Sequence, residues 1–399
     1  MSDSLNTALR HLRALVAFDT RNPPRAIDTG GIFDYLRTQL PGFECQVTDH
    51  GAGAVSLVAV RGTPRILFNV HLDTVPAAST WTRDPFALEV THECAIGLGA
   101  CDIKGAAAAL LTAAAHTHGD VAFLFTTDEE ANDARCIAAF LKRFPSPTGR
   151  RWPEGPDEGS GSYWPSSEAE PSPQPLSRRE RGFEAVIVAE PTRCAAVIAH
   201  RGISSVQMRF AGQAGHASAA GADSALHAAI RWGAKALEYV ESQAHQRFGG
   251  LTGLRFNIGR VEGGIKANVS APSADVRFGF RPLPSMDTDA LLAIFRNCAS
   301  SVAQYDETFR GAPLPAGDIA QAEAKRLAAR DLADELGVPI GNAVDFWTEA
   351  ALFSAAGYTT FVCGPGDIAQ AHTADEYVEL SQLQQITETY ARIIDHGHA

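Results

Sequence analysis

The amino-acid sequence predicts an α/β fold, a mostly parallel sheet flanked by helices, with a smaller α+β domain inserted into it. Three observations carry that expectation. Short apolar runs alternate with helical stretches over most of the chain, the pattern of a parallel sheet covered by helices. From about residue 195 to 312 the strands instead alternate apolar and polar residues, as in a sheet wet on one face. With 399 residues, 45% of them hydrophobic and 20% charged, the chain can fill two or three domains of roughly 100 to 200 residues.

The elements follow in order. Leu5, Leu9, Leu12 and Val16 recur at helical spacing behind Ser4, so the chain opens with an amphipathic helix. Residues 65–70, 121–125, 183–188 and 359–363 are short apolar runs and read as buried strands, while the Ala-rich stretch 105–115, residues 319–336 and residues 381–395 read as helices. In the inserted domain Val206, Met208 and Phe210 mark one strand and Val276, Phe278 and Phe280 another. Helices are expected near 223–242 and 287–304, the second with Leu291, Phe295, Cys298 and Val302 on one stripe. The expected domains are 1–194 and 313–399, two parts of one catalytic unit, and 195–312 between them, whose flanks are hinges in prospect. Residues 145–182 hold eight of the 22 prolines with many Ser and Gly, a composition expected to form a disordered surface loop.

Charge and cysteine usage narrow the function. The formal net charge of -12 argues against nucleic acid or an anionic membrane surface as partner. The longest uncharged apolar run, 105–115, is about half of the roughly 20 residues that span a bilayer. Met1-Ser-Asp-Ser4 lacks the basic start of a secretory signal, and seven cysteines without Cys-x2-Cys spacing fit reduced thiols, so a cytoplasmic location is expected.

The residues just past the predicted strands carry the chemistry. His71 and Asp73 follow the first, Asp128-Glu129-Glu130 the second and Glu190 the third; His372 lies beyond the last, and Asp102 precedes the Ala-rich helix. In open parallel sheets, ligands sit beyond the carboxyl ends of the strands. Two imidazoles with three carboxylates suit zinc and its first-row neighbours and are too nitrogen-rich for calcium or magnesium. One zinc needs three protein ligands and an open position, so five are too many for one ion. A bridging Asp102 gives each of two ions three ligands: His71, Asp102 and Glu190 for one; Asp102, Glu130 and His372 for the other. Adjacent side chains of an extended segment diverge, so Glu130 is assigned to metal and Glu129 to proton transfer as base and then acid. Asp73 is expected to orient the His71 ring. Gly364-Pro-Gly366-Asp-Ile-Ala369 matches a dinucleotide fingerprint, but too little chain follows it to complete a nucleotide-binding half. A noncatalytic metal- or nucleotide-binding α/β protein is the remote alternative.

Together, His71-x-Asp73-Thr-Val-Pro76, Asp102-x-Lys104-Gly105, Asp128-Glu129-Glu130, Ala189-Glu190-Pro191-Thr192, Gly215-His216 and Gln370-Ala-His372 resemble the dinuclear-zinc deacylase and exopeptidase family that includes acetylornithine deacetylase and succinyl-diaminopimelate desuccinylase. The resemblance implies a metal-dependent N-acyl-amino-acid amidohydrolase with two divalent ions per chain, zinc or cobalt. It also implies a homodimer formed through the inserted domain, which acts as a lid and dimerisation domain, with His216 reaching a partner's site to stabilise the oxyanion. By the same resemblance Asn268 and Arg281 hold the substrate, Arg281 clamping its α-carboxylate. Residues 81–86, 97–102, 199–202, 281–284 and 364–372 resemble the acetylornithine-cleaving members. Residues 18–24 and 342–350 resemble more closely those that cleave acetylcitrulline, which implies N-acetyl-L-citrulline as substrate and N-acetyl-L-ornithine as the alternative. The insertion at 145–182 lies between Glu130 and Glu190 and leaves every ligand in place.

Overall fold

The computed structural model describes residues 2–146, 183–218, 223–300 and 302–396. The expected loop at 145–182 therefore falls almost wholly outside the described residues. Six strands form the main sheet in the spatial order Glu44–Asp49, Val55–Arg61, Val121–Thr126, Ile66–His71, Ala185–Val188, Thr359–Val362. The last four run parallel and the first two close one edge antiparallel, which makes the sheet mostly parallel.

Both faces of this sheet are covered, and the period-2 alternation of its strands assigns side chains to two cores. Phe68, Val70, Phe123, Phe125 and Ile187 point to one side, against the helices Asp3–Val16, Lys104–His116 and Leu380–His396. Leu67, Ala122, Leu124, Val186 and Val188 point to the other, against Ile137, Phe140, Leu352 and Phe353. The helix Lys104–His116 is buried from Lys104 through Ala114, as its run of alanines and leucines requires of a helix apolar all round. The opening helix is capped by Ser2, whose hydroxyl accepts the Leu5 N–H at 3.2 Å, so Ser4 lies inside the first turn instead of before it.

The second sheet is antiparallel, in the order Arg255–Gly263, Ser273–Arg281, Ile203–Ala211, Gln304–Gly311. Its strands alternate as expected, with Val206, Met208, Phe210, Val276, Phe278 and Phe280 buried against Trp232 and Phe295. One element differs from the sequence reading. The helix expected at 287–304 is Thr288–Asn297, started by the Asp287 carboxylate on the N–H groups of Asp289 and Ala290. Cys298 caps its end, and the chain re-enters the sheet as Gln304–Gly311, so Val302 belongs to no helical stripe. No helix among the described residues is long and apolar enough to cross a membrane. The seven cysteines are all free.

Candidate metal centre

The parallel register brings the strand ends to one edge. His71 is the last residue of Ile66–His71 and lies opposite Thr126, while Asn69 lies opposite Val188, so Asp128–Glu130 and Glu190 leave the sheet beside it. Asp102 enters from the turn that starts the Ala-rich helix, and His372 from the loop that follows Thr359–Val362.

The five residues form two overlapping groups, His71, Asp102, Glu190 and Asp102, Glu130, His372. In the first, His71 Nε2 lies 3.0 Å from Asp102 Oδ1 and 3.6 Å from Glu190 Oε1. In the second, His372 Nε2 lies 3.3 Å from Asp102 Oδ2 and 3.0 Å from Glu130 Oε1. Donors about 2 Å from one tetrahedral ion sit roughly 3.3 Å apart, and all four separations bracket that edge length. Asp102 turns a different oxygen to each group, the geometry of a bridge. The donor set and its spacing fit two zinc-like ions.

Electrostatics without ions points the same way. Burial opposes a charge on His71, yet Glu190, Asp102 and Asp73 raise its pKa well above the usual imidazole value. Hydrogen bonds to Asp102 and Glu130 hold His372 up to about 11. Burial pushes Glu190 well above the carboxylate range. Each is a group whose charge a bound dication would rebalance.

The surrounding groups fix this arrangement. The His71 Nδ1–H donates to the backbone carbonyl of Asp73 at 3.0 Å, which leaves Nε2 as the ligating atom. The Asp73 carboxylate is farther, at 3.5 Å, and its Oδ2 accepts from Asn22 Nδ2 and from the Glu130 N–H. Asp73 thus ties the Glu130 backbone to the His71 strand as well as steering the ring. Residues 129–132 form a turn closed by the Asn132 N–H on the Glu129 carbonyl, so this turn, and not an extended segment, is what separates Glu129 from Glu130. Burial pushes the Glu129 carboxyl up to about 8, with His71 opposing and Glu130, Asp102 and Asp73 adding.

A cleft of about 410 Å³ opens on the site, lined by all five ligand candidates and Glu129. Its other walls are Asn132, Ile203, Arg281, Phe309, Phe346, Trp347, Ile368 and Ala371. Arg281, half-buried at the end of the strand Ser273–Arg281, makes no ion pair among the described residues. His216 and Asn268 lie elsewhere. They sit side by side on the second sheet domain, the Ala217 N–H on the Asn268 carbonyl at 3.0 Å, both exposed and neither lining the cleft of their own chain.

Sequence reading missed two buried acids. Glu376 accepts the N–H groups of Gly99, Cys101 and Asp102. Glu349 is buried with neither carboxylate oxygen bonded, near Asp128 and Glu129. Each stands beside an ordinary surface-like acid or helix start, so no local pattern sets it apart.

The model of peptidase family M20/M25/M40 matches residues 67–396. N-acetyl-L-citrulline deacetylase of Xanthomonas campestris pv. campestris is 62% identical over 402 residues, covering 100% of both chains. Acetylornithine deacetylase of Klebsiella pneumoniae is 25% identical over 375 residues, 88% of this chain and 82% of that one. Among solved structures, the aminopeptidase PepT of Bacillus cereus shares the fold over 99% of both chains, at a TM-score of 0.68 and 17% identity.

Proposed function

The chain belongs to peptidase family M20/M25/M40, and from that premise we propose that this metal-dependent amidohydrolase removes the acetyl group of N-acetyl-L-citrulline, giving L-citrulline and acetate in arginine biosynthesis. One observation carries the chemistry: two ligand triads share Asp102 at the floor of a cleft into which Glu129 also reaches. His71, Asp102 and Glu190 would hold one ion, and Asp102, Glu130 and His372 the other; zinc and cobalt both suit that donor set. When bound, two such dications polarise the scissile carbonyl and acidify a water.

The remaining work falls to side chains. Arg281 clamps the α-carboxylate by a bidentate pair and so sets the acetyl group over the floor. Glu129 takes the proton of the attacking water and passes it to the α-nitrogen as the C–N bond breaks, leaving acetate and a free amine. In a homodimer assembled through the lid, His216 of one subunit donates a hydrogen bond to the oxyanion in the other subunit's site, and Asn268 beside it contacts the substrate.

The cleft lining supports citrulline over ornithine. Among the described residues that line it, the carboxylates are Asp102, Glu129, Glu130 and Glu190, all committed to metal or proton transfer. No further acid is there to match the ammonium of ornithine, whereas aromatic and amide groups accept a neutral ureido group. A charged group left unmatched costs about 1–3 kcal/mol or more, so kcat/KM for N-acetyl-L-citrulline should exceed that for N-acetyl-L-ornithine by roughly 10- to 100-fold. Parallel assays on the metal-loaded enzyme test this; a preference for the ornithine derivative would overturn the substrate while leaving the deacetylase chemistry standing.

A further inference from the structure

Residues 199–202 and 342–350 supply neither metal ligand nor proton carrier, yet the structure interlocks them. Arg201 is 0% exposed. Its guanidinium pairs with the Asp345 carboxylate, donates from Nη1 to the Gly253 carbonyl at 2.6 Å and from Nη2 to the Thr252 carbonyl at 2.8 Å, and reaches the Arg281 carbonyl at 3.5 Å. One planar fork therefore joins four segments: the chain entering the lid, the end of the hairpin that pairs Arg247–Phe248 with Leu251–Thr252, the end of the strand that carries Arg281, and the loop just before Phe346 and Trp347.

The neighbouring residue reinforces the junction. The His200 Nδ1–H donates to the Arg201 carbonyl at 2.8 Å, and its Nε2 accepts from the Thr348 hydroxyl at 3.1 Å. The His200 backbone exchanges hydrogen bonds with Leu314, where the chain leaves the lid, and the Val344 N–H reaches the Ala199 carbonyl at 3.2 Å. Arg255, opposite Arg281 in the strand register, lies 3.6 Å from the same Asp345 carboxylate. Asp345 thus balances two guanidiniums beside Arg281, which itself has no ion-pair partner among the described residues.

We propose that Arg201 and Asp345 are positioning residues that hold Arg281 and the Phe346–Trp347 wall in one register across the lid junction, and so set the site that reads the substrate α-carboxylate. Neither touches the reacting atoms. The inference rests on the reading of Arg281 as the carboxylate clamp. Without Asp345 the buried Arg201 loses its counter-charge, and the carbonyls it gathers, that of Arg281 among them, are no longer tied to the cleft wall.

The test compares metal-loaded wild type with Asp345→Asn and Arg201→Lys. Asp345 is 56% exposed at its side chain and Asn keeps an acceptor oxygen toward the Arg201 guanidinium, so the Asn variant is the milder of the two changes, and a melting temperature taken beside each assay separates loss of fold from loss of position. Each protein is assayed on the N-acetyl amino acid the wild type cleaves best and on the matching N-acetyl amine lacking the α-carboxylate. The expected result for Asp345→Asn is a KM raised about tenfold with kcat within about twofold, unchanged metal content, and a preference for the carboxylate-bearing substrate reduced about tenfold. Arg201→Lys should move the same way, since a single ammonium cannot span four acceptors; should it fail to fold, Asp345→Asn alone decides. An unchanged preference for the carboxylate overturns the proposal, as does a loss of kcat accompanied by loss of metal. A wild type that favours an amino acid other than citrulline refutes the substrate reading and leaves this comparison intact, because the pair of substrates is chosen from what it cleaves.

Discussion

Replacing Glu376 by Gln should loosen the metal ions without touching either of them. Glu376 is 2% exposed, its Oε1 accepting the N–H groups of Cys101 and Asp102 at 2.9 Å each and its Oε2 that of Gly99 at 3.2 Å. These three bonds shape the turn that presents Asp102, the carboxylate both ion sites share. A Gln side chain keeps one acceptor oxygen, but its amide meets the Gly99 N–H donor to donor and the surviving bonds lose their charge assistance. In the ion-free protein, burial and the Asp102 charge push the Glu376 carboxyl up to about 8 against the three N–H bonds that lower it, so near neutrality the neutral acid is accessible and Gln approximates it. Loading neutralises Asp102 and favours the carboxylate, so the substitution should penalise loading more than it penalises the ion-free fold. A hydrogen bond to a charged group contributes about 1.5–3 kcal/mol net, and residues that orient metal ligands alter affinity by roughly 10- to 100-fold when changed. Glu376→Gln should therefore weaken metal binding 10- to 100-fold in competition with a chromogenic chelator, with an ion-free melting temperature close to wild type at pH 7. Undiminished metal affinity would refute the reasoning, and a lowered ion-free melting temperature with normal affinity would make Glu376 a structural group only.

Glu129→Gln should cut turnover by about 100- to 10,000-fold while both ions stay bound, measured by metal analysis beside the rate; lost metal would mean that Glu129 and Glu130 have exchanged roles. His216→Ala should lower kcat without loss of metal. Mixed with Glu129→Gln after subunit exchange, it should regain about a quarter of wild-type activity, because half the dimers then hold one site with both residues; a mixture that stays inactive would place His216 in its own subunit's chemistry, and an undiminished His216→Ala variant would place it outside the chemistry. Metal affinity should rise with pH. His71 is held well above the usual imidazole value and His372 up to about 11, so both carry protons in the ion-free protein near neutrality, and each must be released for its ion to bind. The dissociation constant of each ion should fall about tenfold per pH unit between roughly 6 and 8, and calorimetry in buffers of different ionisation enthalpy should count at least about two protons released per chain. A pH-independent affinity would contradict the protonated, ion-free state.

What the sequence reveals and what it hides follow from how local each signal is. The strands and the helix Lys104–His116 are legible because burial on two faces leaves continuous apolar runs, and the ligand candidates stand out because each follows such a run or, for Asp102, precedes one. The strand Gln304–Gly311 is hidden, because Gln, Asp and Glu alternate there with two rings and the preceding helical stripe extends by coincidence through Val302. Glu376 and Arg201 are hidden for another reason. Their partners lie 275 and 144 residues away, at Cys101 and Asp345, and no pattern in one stretch of chain encodes a contact made only by the fold. His216 and Asn268 carry a different lesson: the resemblance selects them, yet within one chain they are exposed and do not line the cleft, so their role rests on the proposed second subunit and not on this chain's own site.

The position of the long Pro/Ser-rich stretch explains why so large a change between Glu130 and Glu190 need not disturb the ions. Strand Ala185–Val188 is fixed to Ile66–His71 by parallel register, Leu67 opposite Val186 and Asn69 opposite Val188, and this pairing alone sets Glu190 beside His71. On the far side Glu130 is tied to the His71 strand through the Asp73 carboxylate, and His71 itself lies opposite Thr126. Neither constraint passes through residues 147–182. Doubling the length of a connection costs only about 0.6 kcal/mol of closure entropy in general, small beside the burial of two core strands. His71, Glu130 and Glu190 thus hold their spacing because each is pinned to the sheet locally. The same local anchoring accounts for the charge: the Glu376 carboxylate holds the Asp102 turn, the Asp73 carboxylate holds Glu130 and strand pairing holds Glu190, so three like charges are gathered against their repulsion, and the two dications they would take up shift the net charge from -12 to about -8.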